Sequence, residues 1–252
     1  MRMINRQALI YEYIKKHQEV SINHIAEYFC ISPVTVRRYA DKLEQNGLIY
    51  REYGKAIIAD RSKEEMPFLS RLKENIEFKR KIAQLALPYL LNASSVFFDA
   101  SSTALELLKL LPKSKSITIY TANSAVFHDL QDYDHVRLFV LGGYLSKADG
   151  LTLDSDVTIN IAKDIFVDAV FFSCAGFTEE GIFNNATTGI GVKQIMLGNS
   201  SHNYLLADHT KFNAKGVLQM ATWDSIQTLI CDTSFDPKTE NLLRKKGVDV
   251  VF

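Results

Sequence analysis

Cysteine is scarce in this chain and scattered. Cys30, Cys174 and Cys231 have neither the even count of a disulfide framework nor the short spacings of a metal site. Free thiols and no metal centre are the expectation. No uncharged apolar run approaches the roughly 20 residues that cross a bilayer as a helix. The opening Met1-Arg2-Met3-Ile4-Asn5-Arg6 lacks the apolar segment of a secretory signal, and a cytoplasmic location is expected. There is no internal repeat and no low-complexity tract. Net charge is missing as well, with 29 Lys and Arg against 29 Asp and Glu, but the balance hides an asymmetry. Residues 1–81 carry 16 basic and 11 acidic side chains, whereas residues 82–252 carry 13 and 18. A head of +5 on a body of −5 suits a nucleic-acid-binding part joined to a part with another task. At 252 residues and 47% hydrophobic content the chain is long enough for a small domain plus one sizeable core.

The segment from Ser21 to Ala56 is the most informative. Ile22, Ile25, Ala26 and Phe29 recur at helical spacing behind Ser21, a good N-cap. Cys30-Ile31 makes a tight connection, and Ser32-Pro33 then opens a second helix, since proline at the first helical position has no N–H to leave unsatisfied. Val36, Ala40 and Leu43 give that helix one buried stripe, with Gly47 after Asn46 as its stop. Val34 and Arg38 lie opposite the stripe, with Thr35 and Arg37 on its flanks. Together with Ser32 they present methyl, hydroxyl and guanidinium groups that suit base edges and phosphates. Ile10, Tyr13 and Ile14 mark a preceding amphipathic helix. Beyond Gly47, Leu48 to Glu52 and Lys55 to Ile58 flank Tyr53-Gly54 as a hairpin would, placing Arg51 and Lys55 where a wing touches phosphates. The pattern is a winged helix-turn-helix over residues 1–59.

On these residues the head resembles the DeoR family of bacterial transcriptional regulators. The family's Thr-Ile-Arg-Arg-Asp-Leu recognition segment matches Thr35-Val36-Arg37-Arg38-Tyr39-Ala40, and its Arg-Val-His-Gly-Gly-Ala wing matches Arg51-Glu52-Tyr53-Gly54-Lys55-Ala56. Tyr39, Ala40, Tyr53 and Lys55 depart from the pattern, which implies the same docking geometry with an altered operator preference.

Residues 60–67 are polar and without a sustained apolar pattern, and are read as a linker to a second domain over residues 68–252. A helix is expected from Phe68 through Asn75 and Phe78 to Leu90, interrupted at most by Pro88, with Lys79-Arg80-Lys81 on a solvated face. From Ser95 onward short apolar strands alternate with helical stretches. The expected strands are 96–98, 117–120, 136–141, 169–173, 204–207, 228–231 and 248–252, and the expected helices include 103–111, 124–130, 192–198 and 238–246. Strands buried on both faces and separated by helices imply an α/β, doubly wound, mostly parallel sheet.

Ligands of such sheets bind outside the carboxyl ends of the strands, where this chain gathers its chemistry. Asp99 to Thr103 follow the first strand, Thr121 to Ser124 the second, Gly142-Gly143 the third, Cys174 to Gly176 the fourth, Asp208 to Phe212 the fifth and Asp232 the sixth. The rim is polar, hydroxyl-rich and poor in aromatics, which favours a compact polar ligand. Asp99 to Thr103 turns from strand to helix and is the best phosphate loop, although Ser101 and Ser102 equally fit a helix cap. Lys193 and Lys211 add positive charge.

The DeoR resemblance extends over this half too. The family's sensor domain is similar to the ribose phosphate isomerase and glucosamine phosphate deaminase fold and responds to phosphorylated sugars or related metabolites. Its Asp-x-Gly-Thr-Thr loop corresponds to Asp99, Ser101, Ser102 and Thr103, with Ser101 in place of glycine, and its Thr-Asn segment is close to Asn123. Gly142, Gly143, Lys193, and Asp208 with Lys211 in the Asp-x-Ser-Lys-Phe segment also match. The acidic residue usual a few positions before Lys193 is absent. The resemblance implies a repressor of a carbohydrate operon, a homo-oligomer with a double-stranded DNA operator and a phosphorylated sugar effector as partners, without a cofactor or catalytic residues. The alternative is a sugar-phosphate isomerase or deaminase with an appended helix-turn-helix, using Asp99 and Asp208-His209 as acid and base. Against it, no group is identifiable that would orient His209.

Overall fold

The computed structural model describes residues 4–45, 49–58, 68–146, 151–185 and 187–252. It divides into two compact units, Met1–Ser70 and Arg71–Phe252. Gly47 and the expected linker at 60–67 lie outside the described residues.

The first unit contains α1 (Ile4–His17), β1 (Glu19–Ser21), α2 (Ile22–Tyr28), α3 (Pro33–Gln45), β2 (Ile49–Glu52) and β3 (Lys55–Ile58). Its helix starts are built by the expected caps. Ser21 Oγ accepts the His24 N–H at 3.1 Å and Ser32 Oγ accepts the Thr35 N–H at 3.2 Å. Cys30, at φ 51°, turns the chain between α2 and α3. Ile10, Ile14, Ile25, Val36, Ala40 and Leu43 close one apolar core. Tyr53 and Gly54 take φ of 47° and 79°, two successive left-handed residues that match the strand twist of a tight hairpin. A third strand is added: β1 pairs antiparallel with β3, Val20 opposite Ala56. Three residues are too few to show alternation, so the sequence reading missed it.

The second unit opens with α4 (Phe68–Arg71), which spans the division, and α5 (Ile76–Asn92). It continues through β4 (Ser95–Phe98), α6 (Ser102–Leu108), β5 (Ile117–Thr121), α7 (Val126–Leu130), β6 (Val136–Val140), α8 (Asp156–Lys163) and β7 (Val167–Phe172). Then come β8 (Gly176–Thr178), β9 (Gly181–Asn184), α9 (Ile190–Gly198), β10 (Ser200–Leu206), β11 (Leu218–Ala221), β12 (Thr228–Ile230), α10 (Pro237–Lys245) and β13 (Asp249–Val251). Seven strands form one parallel sheet in the order β13-β12-β10-β7-β4-β5-β6. Successive strands step one way from β4 and the other way from β7, so the order reverses between these two neighbours. On one face Phe98 stacks on Phe171 at 5.4 Å and Phe171 on Tyr204 at 4.8 Å, tying β4, β7 and β10 together. Phe97, Phe172 and Leu205 are buried in the principal hydrophobic cluster. A small antiparallel sheet, β11-β9-β8, was not foreseen.

The expected helix from Phe68 to Leu90 is two helices. It breaks at Asn75, which is left-handed at φ 51°, while Pro88 rides inside α5. Nor is Lys79-Arg80-Lys81 one solvated face. Lys79 is 4% exposed, and its ammonium donates to the carbonyls of Arg71 and of Glu74, the latter at 2.6 Å. Lys81 donates to the Asp232 carbonyl at 2.6 Å, and Arg80 pairs with Glu77 in solvent. Burial pushes the Lys79 ammonium down to about 8; the neighbouring Lys211 charge acts in the same direction and Asp208 against it.

After β6, the Thr158 hydroxyl donates to the Gly142 carbonyl at 2.7 Å, and Ser155 caps α8. Gly143 sits at φ 138°, where an added Cβ would overlap Thr158 Oγ1 and lie 2.5 Å from Ser155 Oγ. Packing against the start of α8 therefore demands glycine here.

Two outcomes follow from these contacts. Gly143→Ala should lower stability by about 1–3 kcal/mol in urea unfolding. Gly142→Ala, whose Cβ would meet only Ile161 Cδ1 at 3.7 Å, should stay within about 0.5 kcal/mol. Because the folded-state value of Lys79 is depressed, the unfolded chain binds the extra proton between about pH 8 and 10.5. Stability should be level below pH 8 and gain on the order of 3 kcal/mol from this group as pH rises through that window. Lys79→Met should flatten the rise when unfolding is measured across it.

Candidate functional site

α3 divides its residues cleanly. Val36, Tyr39, Ala40 and Leu43 are buried, whereas Ser32, Val34, Arg37 and Arg38 are exposed. Val34 is 71% exposed, an aliphatic group of the kind that meets a thymine methyl, set among guanidiniums. Thr35 is half-buried, its hydroxyl bonded to Ser32 Oγ at 2.9 Å within the cap. Tyr39, read from sequence as a change in operator preference, is instead part of the core, with the Arg38 guanidinium 5.6 Å over its ring.

The wing cations are engaged by protein carboxylates. Arg51 binds Asp41 Oδ1 at 2.7 Å and Glu44 Oε2 at 2.7 Å, and its backbone N–H donates to Glu44 Oε1 at 2.9 Å. The bond to Arg51 holds the Glu44 carboxyl below its usual range, and the Glu44 bond raises Arg51 in turn. Lys55 pairs with Glu19. The geometry makes Arg51 a tie between the wing and α3. Tyr53, 94% exposed, occupies the wing tip. Asp41 and Glu44, one turn apart near the end of α3, were the sequence signal for the tie.

In the second unit the carboxyl ends of β4 and β7, where the strand order reverses, gather most of the expected effector residues. The Asp99 side chain is wholly buried. Its Oδ2 lies 2.8 Å from Lys193 Nζ on α9 and accepts the Ser173 N–H at 3.2 Å, and its Oδ1 accepts the Ser101 N–H at 3.0 Å. Lys211 donates to Ser173 Oγ at 3.0 Å and to the Cys174 carbonyl at 2.8 Å. Asp208, also buried, accepts from the Thr210 N–H at 3.1 Å and from the Thr210 hydroxyl. Burial pushes the Cys174 thiol up to about 11 despite the opposing Lys211 and Lys193 charges, so this cysteine is inert. Ser173 is the member of the cluster that sequence reasoning left out; its place became visible only with the strand order.

The loop after β4 is used differently from a simple phosphate cradle. Ser101 Oγ caps α6 by accepting the Ala104 N–H at 3.1 Å, and Ser102 is buried. Thr103 Oγ1, in the first turn of α6, and Asn123 Nδ2, just beyond β5, are buried without a protein partner. The Asn123 carbonyl oxygen meanwhile accepts the Ala125 N–H at 2.9 Å. Unpaired buried donors of this kind call for an external partner. Gly142 and Gly143 stand at the end of β6, in the α8 contact already described.

His209 is oriented after all. Its Nδ1 lies 2.7 Å from Asp232 Oδ2, its backbone N–H donates to Asp232 Oδ1 at 2.8 Å, and its ring packs on Phe78 at 4.9 Å. Burial raises the Asp232 carboxyl, but the bonds from His209 outweigh it and hold the group below its usual value. Among the described residues no three His, Cys, Asp or Glu are grouped to hold a metal ion, and no helix is long and apolar enough to cross a membrane.

Known proteins share both halves. The model of the DeoR-like helix-turn-helix domain matches residues 6–62, and that of the DeoR C terminal sensor domain matches residues 74–233. The L-fucose operon activator of Escherichia coli (strain K12) is 27% identical over 230 residues, covering 90% of this chain and 94% of that protein. The glycerol-3-phosphate regulon repressor of the same organism is 25% identical over 233 residues, 92% of each. Ribose 5 phosphate isomerase A from Neisseria gonorrhoeae superposes with a TM-score of 0.37 at 15% identity, over 54% of this chain and 53% of that one. With a winged head and a parallel-sheet unit each matched by its own family model, the chain belongs to the DeoR family of transcriptional regulators.

Proposed function

We propose that this protein is a cytoplasmic, homo-oligomeric repressor of a carbohydrate-metabolism operon whose operator affinity is set by a phosphorylated sugar. The observation that carries the reading is the exposed face of α3, where Val34, Arg37 and Arg38 remain free for DNA while Tyr39 and the Val36 stripe are buried. Helix-turn-helix heads read paired half-sites as symmetric assemblies, which supports a homo-oligomer. For the effector, Lys79, Lys81, Lys193 and Lys211 outnumber Asp99, Asp208 and Asp232 around the carboxyl edge, favouring an anionic ligand, and the unpaired Thr103 and Asn123 atoms suit its hydroxyls. The candidate effector residues are Asp99, Ser173, Lys193, Asp208 and Lys211, with Thr103 and Asn123.

The His209–Asp232 pair favours the second reading, an isomerase or deaminase, because it supplies an oriented base. Asp99, the acid such chemistry would need, is committed to Lys193 and two backbone N–H groups. Regulation without turnover is therefore the reading retained, and release of product from ribose, glucosamine or fructose phosphates by the purified protein would reverse it.

Fluorescence anisotropy with DNA from upstream of the protein's own gene should show binding at least about 10³-fold tighter than to random DNA at physiological salt; equal affinities would sink the proposal. Arg38→Ala should cost about 1–3 kcal/mol and relax sequence preference. Arg37→Gln should reduce the slope of log K against log salt by about one. Arg51→Gln should leave that slope unchanged, because its charge already serves Asp41 and Glu44.

In a thermal-shift panel, sugar phosphates should stabilise the protein and the matching neutral sugars should not. A ligand at 100 times its Kd adds about 2.7 kcal/mol. Lys193→Met and Lys211→Met should each abolish the shift. Stabilisation by neutral sugars alone would remove the anion site from the proposal.

A further inference from the structure

The first eleven residues of the second unit are fastened to the carboxyl edge of the sheet at three points. Asn75 Nδ2 donates to Thr210 Oγ1 at 3.3 Å, the Phe78 ring packs on His209 at 4.9 Å, and Lys81 donates to the Asp232 carbonyl at 2.6 Å. Lys79, buried beside Lys211 and Asp208, closes the segment on itself by donating to the carbonyls of Arg71 and Glu74. All the partners on the sheet side lie in two short stretches, 209–211 and 232. Thr210 bonds Asp208, and Lys211 bonds Ser173 and the Cys174 carbonyl. One three-residue turn thus holds the candidate effector cluster with one set of side chains and the segment leading from the head with another.

We propose that residues 71–81 are a latch that reports the state of the Asp208–Lys211 turn to the DNA-binding head. This rests on the reading of Asp208 and Lys211 as effector residues. A ligand that draws Lys211 away from Ser173 and Cys174 moves the turn, loosens Asn75 and Phe78 from it, and so changes the segment through which the chain continues to the head. Coupling of this kind requires an element with two arrangements that both sites bias, and the break at Asn75 between α4 and α5 supplies the hinge.

Removal of the Lys211 ammonium mimics its withdrawal from Ser173 and Cys174 without needing the ligand. In hydrogen exchange on full-length Lys211→Met, amides of 71–81 should exchange about tenfold faster or more while those of β4 and β7 keep wild-type rates. Lys211→Arg should restore protection. Faster exchange confined to 173–175 and 208–212 would overturn the latch. Should Lys211→Met fail to fold, Asn75→Gly tests the contact from the other side. It removes the side chain but tolerates the left-handed backbone, and should speed exchange at Thr210 and Lys211; unchanged rates there would overturn the proposal equally.

Promoter-DNA affinity closes the cycle. Lys211→Met should shift it about fivefold or more in the wild-type background and less than twofold in Asn75→Gly. No shift in the wild type, or the same shift in both backgrounds, would overturn the latch. Neither measurement uses a ligand, so failure of every sugar phosphate to bind would sink the effector assignment and leave the latch decided on its own terms.

Discussion

A carboxylate wholly removed from water governs the second unit. Asp99 ends β4 at the point where the strand order reverses, and leaving it there without partners would be prohibitively unfavourable. Its three partners come from different places: Lys193 from α9, the Ser173 N–H from the end of β7, and the Ser101 N–H from its own loop. Satisfying one side chain therefore fixes the separation of β4 and β7 at their carboxyl ends and the seat of α9 against them. Ser173 then passes the constraint on, since its hydroxyl accepts from Lys211 and positions the turn after β10. The aromatic stack from Phe98 through Phe171 to Tyr204 holds the same three strands from within the sheet. The polar edge is thus preorganised by apolar packing behind it.

The head solves a smaller problem by similar means. A domain of this size has little core, and α3 must keep one face free of it. Arg51 supplies the missing rigidity by bridging the wing strand β2 to Asp41 and Glu44. Spanning two carboxylates, with Nε and Nη2 both on Glu44 Oε2 and the backbone N–H on Oε1, it forms a small network and not an isolated surface pair. Its charge sets the angle between wing and helix, while Arg37 and Arg38 stay exposed on α3. The +5 balance of residues 1–81 thus overstates what is available to DNA, since Arg51, Lys55 and Lys79 are all engaged within the protein.

Local signals were legible wherever a residue acts on its own neighbours. Ser21, Ser32, Pro33 and the Tyr53-Gly54 turn appear in the structure as sequence chemistry dictated, and all seven parallel strands lie where apolar runs marked them. What escaped depended on distant partners or on very short elements. β1, β8, β9 and β11 have three or four residues each, below the length at which a period can be seen. Lys79 looked like one member of a basic run because its acceptors are carbonyls, which carry no residue-type signature. Asp232 could not be assigned to His209 because they are 23 positions apart, with β11 and β12 between them. Tyr39 occupied a motif position associated with DNA, yet its side chain follows helical phase into the core. Of the candidate effector residues, Asp99 pairs with Lys193, Lys211 reaches Ser173 beside them, and Ser101 caps α6.

The arrangement of Lys211 bears on how the proposed effector site would work. Its ammonium is satisfied by a hydroxyl and a carbonyl, both uncharged. A phosphate is the stronger partner, because charge-assisted hydrogen bonds are about twice as strong as neutral ones. Taking Lys211 from Ser173 and Cys174 strands two buried acceptors, however, and part of the binding energy must go into finding them new partners. On the proposed reading such a site would bind less tightly than an open cationic pocket, but a ligand that displaced Lys211 would favour a second arrangement of the turn. That preference is the condition for regulation, since a ligand that bound both states alike would shift nothing however strongly it bound. On the proposed reading, paired lysines give the ligand a second conformation to select, which an unpartnered cluster would not.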